Sequence, residues 1–280
     1  MRLDRITRSP RPTTVEGVFL PALERPLQAV TIHPMTRGED LHGHVSLVTG
    51  AGQRLGRAFA EALARAGSDV AVHFGEEASG ADGAVEVARS LGVRAQALQA
   101  DLTDPQATRD LVRNACDAFG VVDILVNSAA IFEPVGVSDC SLEIWQAHMA
   151  VNLTAPFLLS QAFGRRRDGG AGSIVNILDW RALRPGSDHF AYTVSKAALA
   201  AMTLSLAQGL APSIRVNGLA LGAILPPPGL VGKTDAPIDR LPVGRWGEVE
   251  EACQALVFLL AGPQYITGQV LHVDGGRHLL

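Results

Sequence analysis

The chain has 280 residues, of which 47% are hydrophobic, 19% charged and 5% aromatic, a composition that can bury a sizeable core and excludes a disordered chain. Its formal net charge of −4 comes from interspersed charges of both signs, so there is no basic surface for nucleic acid or an anionic membrane, and we expect a small-molecule partner. The three cysteines are widely separated and include no C-x-x-C pair, which indicates ordinary buried thiols in place of a disulfide framework or a metal site.

The first part of the chain differs from the rest. Residues 1–43 contain five prolines and no sustained helical or strand period, so we predict a poorly ordered extension before one domain over 44–280. A secretory signal is not expected because this part has no apolar core, and its acidic residues argue against a transit peptide. Translation that starts at Met35 is a hypothesis. No apolar stretch is long enough to predict a membrane span, and we expect a cytoplasmic protein.

From Val45 onward, short β-rich runs alternate with Ala- and Leu-rich stretches of helical period. Apolar strands separated by helices predict a parallel sheet that is covered on both faces, and right-handed crossovers then predict an α/β fold with a single doubly wound (Rossmann) domain of about seven strands. The strand runs are VSLVT, DVAVHF, VRAQALQ, VDILVN, GSIVNIL, SIRVNGLA and QVLHVDG, and the helices are predicted at 54–66, 81–91, 105–119, 142–164, 190–211 and 248–261.

A glycine-rich turn follows the first strand in VSLVTGAGQRLGRAF. Glycines between a strand and a helix allow a tight turn and a close approach to a pyrophosphate, which the amides of the helix attract. We therefore predict cofactor binding at Gly50, Gly52, Leu55 and Gly56, the alternative being a glycine turn without a ligand.

Arg54 stands in this turn where a middle glycine is usual. Its guanidinium is permanently charged and can bind phosphate oxygens, so we predict that it holds the cofactor and borders the substrate pocket. A solvated arginine at the start of the helix is the alternative.

Three residues at the ends of later strands are also predicted to contact the cofactor. Asp101 and Leu102 follow the third strand, where a carboxylate and an apolar side chain can meet an adenine ring, although Asp101 can equally be a helix cap. Asn127 ends the fourth strand at the same edge of the sheet, where open parallel sheets bind ligands.

Tyr192 and Lys196 lie four residues apart in a predicted helix, so their side chains share one face. A phenol donates a proton poorly at neutral pH, and a neighbouring ammonium is expected to lower the pKa of the tyrosine. The pair alone is weak evidence, but its place after the fifth strand predicts a catalytic site.

Together these motifs resemble the short-chain dehydrogenase/reductase family, through TGAGQRLG, ADL, VNSAA, VNL, YTVSK, IRVNG and ITGQVLHVDGG. The resemblance covers residues 45–276 and implies that Tyr192 donates a proton and that Lys196 binds the nicotinamide ribose. It also implies that Asn152 supports a proton relay, that Gly222 and Ile224 lie near the nicotinamide, and that the protein forms a homotetramer.

Asp179 stands where most members of the family have serine. Together with Arg54 and with Phe132, which matches an aromatic residue that stacks on the pterin, it resembles the pteridine reductase branch. The resemblance implies a pteridine substrate that is bound by Arg54, Phe132, Asp179 and Tyr192. Reduction of a dihydropterin needs hydride at carbon and a proton at nitrogen, and Asp179 can supply that proton only if its pKa is raised or if it shares a proton with Tyr192.

The sequence departs from that branch after the second strand, where HFGEE has Glu76 in place of a basic residue. Glu76 repels a 2′-phosphate, whereas Arg54 and His73 can offer donors, so NADP is favoured and NAD remains possible. The segment 226–245 is rich in Pro and Gly and is predicted to cover the substrate as a lid.

Two other functions remain open at this point. A general carbonyl or 3-oxoacyl reductase is the first, although an ionised Asp179 would repel the alkoxide that forms on the substrate. A nucleotide sensor without turnover is the second, and the intact Tyr192/Lys196 pair argues against it.

Overall fold

The structure, a computed structural model, describes residues 40–167, 169–225 and 241–280. These residues form seven strands: β1 (Val45–Val48), β2 (Asp69–Phe74), β3 (Ala95–Gln99), β4 (Ile124–Asn127), β5 (Gly172–Asp179), β6 (Ile214–Leu221) and β7 (Val270–Val273). The strands make one fully parallel sheet in the order β3-β2-β1-β4-β5-β6-β7, which confirms the predicted fold.

Helices cover both faces of the sheet, since two large clusters of buried side chains lie on opposite sides of it. The helices are α1 (Arg54–Arg65), α2 (Ala78–Ser90), α3 (Pro105–Phe119), α4 (Leu142–Met149), α5 (Ala155–Arg167), α6 (Phe190–Gly209) and α7 (Val249–Ala261). One cluster contains residues of α1, α2 and α7, and the other contains residues of α3, α5 and α6.

The helix that we predicted at 142–164 is interrupted by a π-helical turn, Ala150–Thr154, which separates α4 from α5. Such turns are rare and are found mostly at functional sites. Asn152 lies in this turn and is completely buried. The 3.6-residue period of the sequence could not reveal the turn, because one extra residue in a helix hardly changes that period.

The direction in which strands are added reverses between β1 and β4, since β1 pairs with β2 on one side and with β4 on the other. A parallel sheet opens into a crevice at the carboxyl ends of the strands at such a point. The glycine turn follows β1, and Asn127 is the last residue of β4. The topology therefore brings together the elements that we predicted to hold the cofactor.

Two segments that we predicted from the sequence lie mostly outside the described residues. The extension predicted at 1–43 lies outside the described residues up to residue 39, and so does most of the predicted lid, 226–240. Leu41 is buried, and its amide donates to the carbonyl of Ala66. The cysteines are free thiols, of which Cys253 is buried whereas Cys116 and Cys140 are half-buried.

One helix contradicts the expectation that no segment has the length and composition of a membrane span. The helix α6 meets that criterion with a mean hydropathy of 1.3, although half of the window is buried inside the protein. The helix is apolar because it packs on the sheet, where Leu199 and Ala200 contact the buried side chains of β5 and β6.

Candidate active site

The glycine turn is packed closely against its neighbours. Gly50 has φ +65°, and a Cβ added to it would lie 2.9 Å from the Cα of Ala129. A Cβ added to Gly56 would overlap the carbonyl oxygen of Gly50, and Gly52 packs against α2. Gly50 and Gly56 are therefore required by the turn itself, which brings the start of α1 to the edge of the sheet. Leu55 is half-buried against the core.

His73 holds this turn in place. Its Nδ1 accepts a hydrogen bond of 3.0 Å from the amide of Gly50, and its Nε2 lies 3.1 Å from the carbonyl of Ala100. Burial lowers the pKa of His73 to about 4, although the bond to Ala100 opposes this shift. We expected His73 to offer a donor to a phosphate; the structure contradicts this, because both ring nitrogens are bonded to the backbone and the residue is 2% exposed.

The start of α1 has the properties of an anion site. Gln53, the N-cap residue, makes no side-chain hydrogen bond to the first turn, so the amides of that turn have no capping side chain. Arg54 is exposed and has φ +50°, a left-handed conformation that is uncommon outside glycine and is strained. This turn fits the diphosphate of a dinucleotide, with Gly50, Gly52, Arg54 and Gly56 around it.

The two residues predicted to meet the adenine ring, Asp101 and Leu102, differ in their exposure. Asp101 is exposed and accepts from the amide and hydroxyl of Thr103 at 2.8 and 2.7 Å, while Leu102 is buried. Asp104 and not Asp101 caps α3, since its side chain accepts from the first amides of the helix. Asp101 therefore shapes a local turn in this structure.

Asn127 is buried at the end of β4 and takes part in a polar network within the sheet. Its Nδ2 donates to Oδ1 of Asn176 at 2.8 Å, and Asn176 donates to the hydroxyl of Thr203 at 2.9 Å. The Oδ1 of Asn127 is buried and has no hydrogen-bond partner among the described residues. The sequence did not indicate Asn176 or Thr203, because each lies within a regular apolar element.

Asp179, Tyr192 and Lys196 are brought together as predicted. Asp179 ends β5, and its Oδ2 accepts a hydrogen bond of 3.2 Å from the hydroxyl of Tyr192 on α6. The Nζ of Lys196 donates to the carbonyl of Ile177 at 2.7 Å and lies 5.9 Å from the centre of the Tyr192 ring. The tyrosine and the lysine are buried, whereas 15% of the Asp179 side chain is exposed.

Burial is the largest influence on the pKa of each of these three groups. It raises the pKa of Asp179, although the amide and charge of Arg181 and the charge of Lys196 oppose this shift. Burial, followed by the charge of Asp179 and the hydrogen bond to it, also raises the pKa of Tyr192 well above its usual value. Burial lowers the pKa of Lys196 to about 8. The lowered pKa that we expected for Tyr192 is therefore wrong for this structure, because burial and Asp179 outweigh the opposing charge of Arg181.

The side chain of Asn152 is occupied by protein contacts. Its Oδ1 accepts from the amide of Ile131 at 2.8 Å, and its Nδ2 donates to the carbonyl of Ile131 and to the hydroxyl of Ser195 at 3.0 Å each. Ser195 donates in turn to the carbonyl of Tyr192 at 2.7 Å. In this structure the side chain of Asn152 links the π-helical turn to the part of α6 that carries the tyrosine.

The sequence predicted Phe132 but missed three residues near it and Asp179: His189, Arg181 and Trp180. The ring of Phe132 meets the edge of Tyr192 with 4.6 Å between ring centres and stacks on His189 at 4.2 Å. The guanidinium of Arg181 lies 4.7 Å from the Trp180 ring centre and 5.9 Å from that of Phe132. The Arg181 Nε is buried and has no hydrogen-bond partner in the part of the chain that the structure describes. Trp180 and Arg181 directly follow Asp179, so this proximity was the available signal.

Gly222 and Ile224 follow β6. The amide of Gly222 donates to the carbonyl of Val273, and the amide of Ile224 donates to the carbonyl of Gly222. The carbonyl of Ala223 accepts from the amide of Gly247. We expected this segment to lie near the nicotinamide. In this structure its backbone groups bond to one another, to Val273 and to Gly247, which precedes α7. The side chain of Ile224 is buried.

Comparison with known proteins agrees with this geometry. A sequence model of the family described as enoyl-(acyl carrier protein) reductase matches residues 50–278. The chain belongs to the short-chain dehydrogenase/reductase family. It is 34% identical to L-rhamnose 1-dehydrogenase (NAD(P)(+)) of Sphingomonas sp. over 85% of this chain and 98% of that protein.

Two further members of the short-chain dehydrogenase/reductase family are similar over the same region. The 3-oxoacyl-[acyl-carrier-protein] reductase of Synechocystis sp. is 32% identical over 84% of this chain and 97% of that protein. The crystal structure of FolM alternative dihydrofolate reductase 1 from Brucella suis, in complex with NADP, is 34% identical, covers 85% of this chain and 96% of its own, and has a TM-score of 0.78.

Membership in the short-chain dehydrogenase/reductase family confirms the family predicted from the sequence and makes the protein an NAD(P)-dependent oxidoreductase. The relatives differ from one another in the substrate that their names give. The substrate must therefore be argued from the residues of this chain.

Proposed function

We propose that the protein reduces a dihydropteridine with NADPH as the hydride donor. The observation that carries this proposal is the hydrogen bond of 3.2 Å between the hydroxyl of Tyr192 and Oδ2 of Asp179. A phenol and a carboxyl group that share a proton suit a ring nitrogen, which must be protonated when the neighbouring carbon receives hydride. The similarity to the Brucella dihydrofolate reductase supports the same class of substrate.

The proton is proposed to come from the Tyr192/Asp179 pair. The hydrogen bond between Tyr192 and Asp179 would let the two groups share a proton and pass it to a basic ring nitrogen, and burial, which raises the pKa of both groups, favours their protonated forms. The exposed part of Asp179 allows that proton to be replaced from solvent. Bound NADPH supplies the hydride. Lys196 orients the ribose, and Asn152 keeps Tyr192 in place through Ser195.

Phe132 is proposed to form one wall of the pteridine site. Its ring is 38% exposed and lies against Tyr192, so a flat heterocycle stacked on it would place a ring nitrogen near the tyrosine hydroxyl. Arg54 would border the opposite side and contact the phosphates as well. In this proposal the glycine turn, Asp101, Leu102, Asn127, Gly222 and Ile224 surround the cofactor.

A carbonyl reductase is the second candidate, because two of the relatives are named for a sugar and a 3-oxoacyl substrate. An ionised Asp179 would destabilise the alkoxide that forms on a reduced carbonyl, whereas a serine would stabilise it. The carboxyl group therefore favours the pteridine, and a nucleotide sensor would have no use for the Tyr192/Asp179 pair.

The test is a comparison of NADPH oxidation with dihydrobiopterin, dihydrofolate, acetoacetyl-CoA and L-rhamnono-lactone. We expect turnover with a dihydropterin, and Asp179→Ala should lower kcat by about 10²–10⁴-fold. Asp179→Ser is the matched variant, because it restores the residue that is usual in the family. Turnover of the 3-oxo substrate alone, or an Asp179→Ala enzyme within a fewfold of the wild type, would reject the proposal.

We also propose a cytoplasmic homotetramer. Phe157 on α5 and Leu204 on α6 are 42% and 45% exposed, and a second copy of the chain could cover them. Light scattering coupled to gel filtration tests this, and a monomeric mass would exclude it.

A further inference from the structure

Two histidines and one aspartate form a compact cluster at the end of β7. His272 lies in the strand, Asp274 follows it directly, and His278 lies in the single helical turn Arg277–Leu279. One nitrogen or oxygen atom of each residue lies within 4.8 Å of those of the other two. The proposed reductase reaction uses none of these side chains.

The carboxylate of Asp274 is held in a fixed orientation. Its side chain is 2% exposed, and its two oxygens accept from the amides of Gly276 and His278 at 3.0 and 2.8 Å. Backbone donors of this kind orient a carboxylate ligand in metal sites. The Nδ1 of His278 lies 2.8 Å from Oδ2 of Asp274, so one lone pair of this oxygen already faces a ring nitrogen.

The ring of His272 lies beside the same carboxylate. Its Nδ1 is shielded from solvent, has no hydrogen-bond partner among the described residues, and lies 3.8 Å from Oδ2 of Asp274. Buried polar atoms without a partner are rare in proteins. The rings of His272 and His278 stack with 4.0 Å between their centres, so both Nδ1 atoms lie beside the same carboxylate oxygen.

We propose that His272, Asp274 and His278 bind a divalent transition-metal ion, such as Zn²⁺ or Co²⁺. Two imidazoles and one carboxylate suit these ions, whereas Mg²⁺ and Ca²⁺ prefer oxygen ligands alone. In the neutral His278 ring the single proton moves from Nδ1 to Nε2, so that the lone pair of Nδ1 and the carboxylate of Asp274 both become available to the ion. Bonds of about 2.0–2.1 Å set the ligand atoms about 3.3 Å apart, so the His272 ring, whose Nδ1 lies 3.8 Å from Oδ2 of Asp274, would have to turn toward the ion.

A bound ion would connect β7 to the C-terminal turn. That turn carries Arg277, whose guanidinium lies 4.3 Å from the centre of the Trp180 ring, next to Asp179. The ion would therefore stabilise the part of the chain that packs beside the catalytic carboxyl group. This site does not depend on the proposed substrate, and its test needs no turnover.

The test uses the full chain without a histidine tag, stripped of metal and titrated with Co²⁺. We expect saturable binding of one ion per chain with the visible absorption of four-coordinate Co²⁺, which Zn²⁺ abolishes by displacement. At a hundredfold excess of Zn²⁺ over Kd, the Tm should rise by about 5 °C or more. The absence of saturable binding would overturn the proposal.

Variants locate the site. His272→Gln and His278→Gln should each weaken Co²⁺ binding by at least about tenfold. His44→Gln is the control, because His44 also lies near a carboxylate, 3.9 Å from Asp123, and should leave binding unchanged. X-ray absorption of the Zn²⁺-loaded wild type needs no variant and should show two imidazole ligands. Unchanged binding in both glutamine variants, or fewer than two imidazoles, would refute the site.

Discussion

Arg181 forms a salt bridge with Asp188, in which Nη2 lies 2.8 Å from Oδ2. The same guanidinium lies 3.8 Å from Oδ1 of Asp179, so its charge is shared between a surface carboxylate and the proposed catalytic one. Although partial burial raises the pKa of Asp188, the hydrogen bond and charge of Arg181 bring it down to about 2. The Arg181–Asp188 pair therefore controls how strongly Asp179 is held in its ionised form.

Two substitutions in this pair should move the pH dependence of turnover in opposite directions. Arg181→Gln removes a positive charge from Asp179, raises its pKa, and should shift the alkaline limb of kcat/KM upward by about one pH unit. Asp188→Asn leaves the charge of Arg181 unshared, lowers the pKa of Asp179, and should shift that limb downward. Arg184→Gln, which changes an exposed neighbour, is the control for both. Shifts of the same sign in both variants would contradict the electrostatic account.

Two substitutions of Arg54 should differ in their effect on stability but weaken cofactor binding alike. Its φ of +50° is strained for arginine, and glycine adopts this conformation without strain. Arg54→Gly should therefore be more stable to urea than Arg54→Ala by about 1 kcal/mol, while both variants bind NADPH at least about tenfold more weakly. Fluorescence titration measures the second effect. Wild-type affinity in either variant would show that Arg54 does not contact the phosphates.

His73 should make the fold sensitive to acid. Burial lowers its pKa to about 4, so between about pH 6.5 and pH 4 the unfolded chain binds a proton that the folded chain does not. The free energy of unfolding should therefore fall as the pH is lowered through this window, by on the order of 3 kcal/mol in total. His73→Gln removes the titrating group and should flatten the dependence measured by urea unfolding. An equally steep dependence in the variant would assign the effect to other groups.

Gly56 should tolerate no side chain. A Cβ there would overlap the carbonyl oxygen of Gly50, and that oxygen belongs to the backbone of the turn and cannot move aside as a flexible side chain would. Gly56→Ala should lower the free energy of unfolding by about 3 kcal/mol or more. Gly209→Ala is the matched control, since a Cβ there meets nothing within 4 Å, and it should stabilise α6 by about 0.5–1 kcal/mol. Equal effects of the two changes would mean that the turn adapts.

Glu76 should limit the preference for NADPH. It is exposed just after β2, where a carboxylate repels a 2′-phosphate. Glu76→Arg should raise the ratio of kcat/KM for NADPH to that for NADH by about tenfold. Glu86→Arg makes the same change of charge at an exposed position within α2 and should leave the ratio unchanged. A wild type that strongly prefers NADH would overturn the choice of NADP.

The sequence predicted the order of strands and helices well, because short apolar runs alternate with longer stretches of helical period. The predicted bounds of α3 agree with the structure, since Asp104 and Pro105 mark its start and Gly120 its end. The Asp179, Tyr192 and Lys196 group could also be predicted, because two of its members lie one helical turn apart and the third ends a strand.

Other roles depended on contacts that no local pattern encodes. His73 looked like a phosphate donor, but its ring bonds to Gly50 and Ala100, which lie on separate loops. The pKa of Tyr192 was expected to fall, yet burial and Asp179 raise it. The sign of such a shift depends on how deeply a group is buried, and burial is a property of the whole fold.

The sequence by itself determined the doubly wound fold and the family, and it supplied the proposed catalytic group, because apolar period, turn glycines and residue spacing act over short distances along the chain. Only the tertiary structure decided that Arg181 lies between two carboxylates and that His272, Asp274 and His278 meet at one point. We expected no metal site from the cysteine spacing, and the histidine cluster was missed because a strand and a turn bring its members together. Side chains on separate elements interact only after those elements have packed.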